Sequence, residues 1–220
     1  MLKLICSTSL ILFGLKMTAL VILTSTERKR FDAPPKFNTE ERSLHFSLSH
    51  NDLDIVNQLR SASTKVGFVL QLGYFKSHAK FYSADQFRQV DITYVTKMLG
   101  LDASQIDLSK YHKKVFINHQ QKILALLSWH NFDNIQLDKI KAHALWLVQR
   151  QLSLKQLFLS IVDFLWGNKI EMPSYNTIGS VISNAYESFE SGLIDILSNK
   201  LTRVHFEKLD LLINSAHKSD

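Results

Sequence analysis

The eighteen residues from Thr64 to Phe81, TKVGFVLQLGYFKSHAKF, constrain the fold more than any other stretch of the chain. Val66, Phe68, Val69, Leu70, Leu72, Tyr74 and Phe75 would point in nearly every direction around a helix. A helix that is apolar on all sides has to be wrapped by other helices. Thr64 is placed to cap its start, and Lys76, His78 and Lys80 follow where the apolar run stops. Gly67 and Gly73 lie six apart and leave room for a neighbouring backbone to come close.

The remainder supplies the wrapping. Only 7 glycines and 3 prolines in 220 residues give the chain few sharp turns, so long helices with short polar joints are the economical reading. With 45% apolar residues the chain can bury a core, and its expected fold class is all-α, a multi-helix bundle. Pro34-Pro35 splits the charged segment 27–42 into two short helices, the second starting at Asn38 or Thr39. Ser49 caps a helix carrying Leu53, Val56 and Leu59. Ser83 and Gln86, at capping-box spacing, introduce a helix with Ile92, Val95 and Leu99 that Gly100 terminates. After a polar joint at 102–107, a long helix is expected from Ser109 to Trp129. Helices over 138–149 and 153–166 follow, the second ended by Gly167. Their joint at 150–152 allows either a helix-turn-helix pair or a plain hairpin. Past Pro173 come a helix over 177–198 and a last one over 204–215.

The net charge of +6 and pI near 9.3 favour a polyanionic partner. The single cysteine, Cys6, excludes an internal disulfide and a cysteine metal cluster and suits a reducing, cytoplasmic setting. No H-E-x-x-H, glycine-rich phosphate loop or G-x-S-x-G elbow is present. His45 and His50 lack an acidic partner in a helical metal motif. Neither a cofactor, a metal, a small-molecule substrate nor an enzymatic site is expected. In the helix from Ser109, Val115, Phe116, Ile123, Leu126 and Leu127 form a stripe to bury, while Lys110, Lys113, Lys114, Asn118, Gln121 and Lys122 face outward. Cations neutralise phosphates and amides pair with adenine edges, so this face suits a DNA major groove; it is also what a solvated helix wears.

Arg60, the run Gly67-Phe68-Val69-Leu70-Gln71-Leu72-Gly73-Tyr74-Phe75 and Phe81 together resemble a signature near the N-terminus of transposases of the Tn-three family. Leu23-Thr24 with Glu27-Arg28-Lys29-Arg30-Phe31 is similar to that family's opening, and Tyr94-Val95 with Met98-Leu99-Gly100-Leu101 to a later helix. Tyr111, His119 and Ile123, then the run from Met172 to Ile178 with Ala185, continue the likeness in order. Val69, Lys97-Met98 and Gly179-Ser180 depart from it.

The resemblance implies a bacterial, DNA-binding N-terminal portion of a transposase that recognises terminal inverted repeats in double-stranded DNA, with the catalytic two-aspartate, one-glutamate domain absent. Arg28, Lys29 and Arg30 are then expected on the DNA backbone, and Lys113, Lys114, Asn118 and Lys122 in a groove, with Lys65 and Lys110 adding charge. Arg60 and Gln71 belong to the signature and serve either DNA or hydrogen bonds inside the bundle. Residues 1–22 read as an extension outside the fold, with Met17 as natural start. Residues 23–101 and 102–220 read as two helical DNA-binding subdomains. Two alternatives stay open. One is an interaction module that regulates a full-length transposase, or forms homo-oligomers, without binding DNA. The other is a secreted or membrane-attached protein, against which Lys16 and the polar residues 7–9 interrupt the first apolar run.

Overall fold

A computed structural model describes residues 20–150 and 152–200, together with 202, 204, 205 and 208. Among them the chain forms an all-α bundle. Its helices are α1 Ser25–Asp32, α2 Thr39–His45, α3 His50–Gln58, α4 Ala62–His78, α5 Gln89–Met98, α6 Lys113–Leu127, α7 Asn134–Val148, α8 Leu154–Gly167 and α9 Tyr175–Lys200. The expected last helix, 204–215, lies almost wholly outside the described residues, as does Met17.

Local signals start most helices. The side chains of Thr24, Asn38, Ser49, Ser61, Asp133 and Ser153 each accept a hydrogen bond from a free N–H of the following turn. The Ser61 cap corrects the expectation for Thr64. The sequence Ser-Ala-Ser-Thr is itself a capping box, so α4 starts one turn earlier and Thr64 is the residue whose hydroxyl reaches back to Ser61. The Ser83–Gln86 pair also forms, but it closes a single 3-10 turn, Ala84–Gln86. Phe87 then turns extended to bury its ring, and α5 begins at Gln89.

The long helix expected from Ser109 is likewise broken. The Asp107 carboxylate accepts the Ser109 N–H and hydroxyl, holding a 3-10 turn at Leu108–Lys110, and α6 starts only at Lys113. Gly100 ends α5 in the left-handed region, φ +63°, as its type allows. In α8, by contrast, Gly167 is still helical and the left-handed residue is Lys169.

α4 is the central element. From Val66 to Phe75 every residue is buried, and a large side chain moved from water to such a core contributes roughly 1.5–3 kcal/mol. α2, α3, α5 and α6 pack around it, while α7, α8 and α9 pack on one another with α1 beside α9. The glycines of α4 admit aromatic rings more than backbone. A Cβ at Gly67 would overlap the Tyr111 ring, and one at Gly73 would overlap Phe46, with the His45 carbonyl next to it. One apolar core runs from Ile22, within the segment set apart in the sequence, to Ala185.

Buried charges tie the helices. Asp91 of α5 is 0% exposed and accepts from Arg42 Nε of α2 at 2.7 Å and from the Tyr74 hydroxyl of α4 at 2.9 Å. Asp32 accepts from Lys80 Nζ at 2.7 Å and from the Tyr175 N–H at 3.0 Å, joining α1, the end of α4 and α9. At the same end, the loops after α6 and α8 meet in an isolated bridge between His130 and Ile170, and the Met172 N–H donates to the Ala79 carbonyl at 2.8 Å. No described helix is long and apolar enough to cross a membrane.

Candidate nucleic-acid interface

α6 follows from its sequence: lysine, glutamine, leucine and alanine favour helix, and Ser128 in the left-handed region stops it. Its inner side buries His119, Ile123 and Leu124. Its outer side presents Lys113, Lys114, Asn118, Gln121 and Lys122, all exposed, with Ile117 and Ala125 between them. No acid interrupts this surface, because the sequence has none between Asp107 and Asp133.

Lys113 and Lys114 occupy the first turn, where the helix dipole is positive and a cation costs about 0.3–1 kcal/mol. Neither they nor Lys122 joins an ion pair among the described residues. Arg42, Lys76, Lys80, Lys141 and Lys155 do. The face therefore carries uncompensated positive charge set against its own helix.

Beside α6 lies a cleft of about 570 Å³. The corner between α3 and α4 forms one wall, with Gln58, Leu59, Arg60, Ser61 and Thr64. α6 forms the other, with Val115, Asn118, His119, Gln121, Lys122 and Ala125. Three of the residues expected from the sequence, Arg60, Asn118 and Lys122, thus meet in one place. Gln121, from the expected outward face of α6, joins them with Gln58 and Ser61; an amide two residues before Arg60 and a hydroxyl directly after it are the signals that mark the last two.

What orients α6 is a buried contact below the cleft. The Tyr111 ring fills the space left by Gly67, and its hydroxyl shares a 2.7 Å hydrogen bond with His119 Nδ1. Phe68 meets the His119 ring edge-on at 5.2 Å. Burial, and secondarily the charge of Lys122, push the His119 pKa down to about 4, so the imidazole is neutral near pH 7.

The other candidates lie elsewhere. Gln71 is fully buried; its amide donates to the Tyr82 carbonyl at 2.6 Å and accepts the Tyr82 N–H at 3.3 Å, which is the internal role of its two readings. Arg28 donates from Nε to the Leu23 carbonyl at 2.9 Å and lies over the Tyr175 ring at 4.7 Å, so its guanidinium is engaged in holding α1. Lys29 and Arg30 are exposed on α1, and Lys65 is half-buried in the first turn of α4. The Lys110 backbone closes the turn before α6; its side chain lies outside what is described. No group of three or more metal-binding side chains occurs among the described residues.

The chain is 28% identical over 207 residues to the "Transposase for transposon Tn1546" of Enterococcus faecium. That match takes in 90% of this chain and 20% of the relative, so the chain spans about a fifth of the length of the curated relative. A family model described as "Domain of unknown function (DUF4158)" matches residues 22–185. The match contains α1 to α8, both walls of the cleft and the buried start of α9, and the chain belongs to this family and is related to a transposase.

Proposed function

We propose that this chain is the DNA-binding N-terminal portion of a transposase of the Tn-three type, recognising the terminal inverted repeats of its transposon. The observation that carries this reading is the acid-free outer face of α6, with Lys113, Lys114 and Lys122 outside every ion pair among the described residues and with its amides Asn118 and Gln121, set beside the Arg60 cleft. A convex helix enters the major groove; the concave cleft next to it takes the adjoining phosphate ridge. Lys113, Lys114 and Arg60 contact backbone, and Asn118 and Gln121 read base edges, with Ile117 and Ala125 available to thymine methyls. Lys29 and Arg30 form a second basic site on α1. Residues 23–101 and 102–220 act as two subdomains that share this surface, since α6 of the second packs on α4 of the first. Strand cleavage and transfer belong to parts of a full transposase beyond this chain, and the protein acts in the bacterial cytoplasm.

The test is fluorescence anisotropy with a duplex carrying the transposon end and a scrambled duplex, each across a salt series. At least about tenfold preference for the end, with log affinity falling about 0.9 per phosphate neutralised as log salt rises, is expected. No binding to either duplex at low salt would overturn the reading. A second reading, a module that binds a full-length transposase or a second copy and not DNA, is favoured by the exposed apolar side chains Leu193, Ile194, Ile196 and Leu197 along α9. It would gain if DNA failed to bind while the chain associated.

A further inference from the structure

The hairpin of α7 and α8 carries a column of four flat groups that the α6 surface does not use. Phe164 of α8 stacks on His143 of α7 with centroids 4.4 Å and planes 21° apart. His143 stacks on Trp146 at 5.6 Å and 22°. The Arg150 guanidinium carbon lies 3.4 Å from the centre of the Trp146 ring. His143 and Trp146 follow at i and i+3 on α7, Arg150 lies in the turn just past its end, and the exposed Lys139 stands a turn before His143 on the same face.

The column rises from half-buried Phe164 and His143 to Trp146, 46% exposed, and exposed Arg150. Among the described residues, Arg150 makes no ion pair and no side-chain hydrogen bond. Burial keeps His143 neutral near pH 7 by lowering its pKa, so the positive charge stands at the outer end. A guanidinium carbon 3.4 Å from the ring centre leaves no room for N–H groups between the two, so the planar cation lies over the indole at an exposed position.

We propose that this column is a stacking platform for an unpaired base of DNA, the base lying on the free face of Arg150 and the guanidinium N–H groups reaching an adjoining phosphate. A flat cation backed by aromatic rings matches the π face of any base, and Lys139 matches the backbone. Bases inside a duplex are covered on both faces, so only an unpaired base fits. A carboxylate would use the N–H edge and leave the face empty. The choice of DNA as the source of that base rests on the reading of α6 given above.

The test is anisotropy of a short fluorescein-labelled oligo(dT) with the full chain, comparing R150A, R150K, W146A and W146F. R150A, R150K and W146A are expected to weaken oligo(dT) binding by about tenfold, and W146F, which keeps a flat ring under the arginine, by much less. The transposon-end duplex should bind all four variants as it binds the parent chain, which also shows that they fold. Oligo(dT) binding by R150K equal to that of the parent would overturn the platform, since charge alone would then suffice. No binding of oligo(dT) by the parent chain would overturn it as well. Oligo(dT) binding that depends on Trp146 and Arg150, without preference for the transposon end, would leave the platform standing and sink the α6 reading.

Discussion

Adding one methyl group at Gly67 would drive a Cβ into the Tyr111 ring, and that ring anchors the hydrogen bond to His119 under the cleft. Gly67→Ala is therefore expected to destabilise the fold by about 1–3 kcal/mol, measured as a drop in urea midpoint, and to weaken duplex binding through the tilt of α6. His119 also sets a pH dependence. Its folded pKa of about 4 lies below the ordinary 6.5, so between these values the unfolded chain binds a proton that the folded chain does not. Its contribution is intact above pH 6.5 and is lost as pH falls toward about 4. His119→Gln should flatten that part of the stability profile relative to the parent; parallel profiles would refute the assignment. Glu27 behaves differently, because Lys155 and the Thr24 cap hold its pKa down to about 2 on an exposed surface. Its small contribution persists above the ordinary 4.5 and fades only as pH drops toward 2.

At the scale of the element, the DNA contact proposed for α6 sets binding against helix stability. Replacing Lys113 and Lys114 by glutamate places acids where the dipole favours them. The double variant should gain about 0.3–1 kcal/mol per site in thermal or urea unfolding while losing affinity for the transposon-end duplex and reducing the salt slope. Unchanged affinity would remove α6 from the interface. α4 depends on a local signal in a different way: Ser61→Ala deletes its cap and should cost about 1 kcal/mol by urea unfolding. That cap was legible in the sequence as Ser-x-x-Thr, yet Thr64 is equally a capping type. Only the extended backbone at Ser61, φ −110° and ψ 151°, decides between them.

For the whole molecule, a core continuous from Ile22 to Ala185 and Asp32 linking α1, α4 and α9 predict one cooperative unfolding transition, seen at the same urea concentration by far-ultraviolet and near-ultraviolet circular dichroism. Two separate transitions would show instead that the proposed subdomains, 23–101 and 102–220, fold independently. Asp91→Ala should lower stability by about 3–5 kcal/mol, because it leaves the part-buried Arg42 guanidinium and the fully buried Tyr74 hydroxyl without their acceptor.

The all-α bundle, the wrapped α4, the break at Pro34-Pro35, the cap at Ser49 and the outward face of α6 were all determined by the sequence alone, because periodicity, capping and proline geometry act over a few neighbouring residues. The fates of individual polar side chains were decided by the tertiary structure. Gln71 and Arg28 look like ligand-binding groups in one dimension, and it is Tyr82 and Tyr175, distant in sequence, that claim them. The same distance in sequence explains why the break before α6 was missed, since Tyr111 leaves the helix to fill the gap at Gly67. Arg60, Asn118 and Lys122 share a cleft for the same reason: only the packing of α6 on α4 brings residues nearly sixty positions apart to one surface.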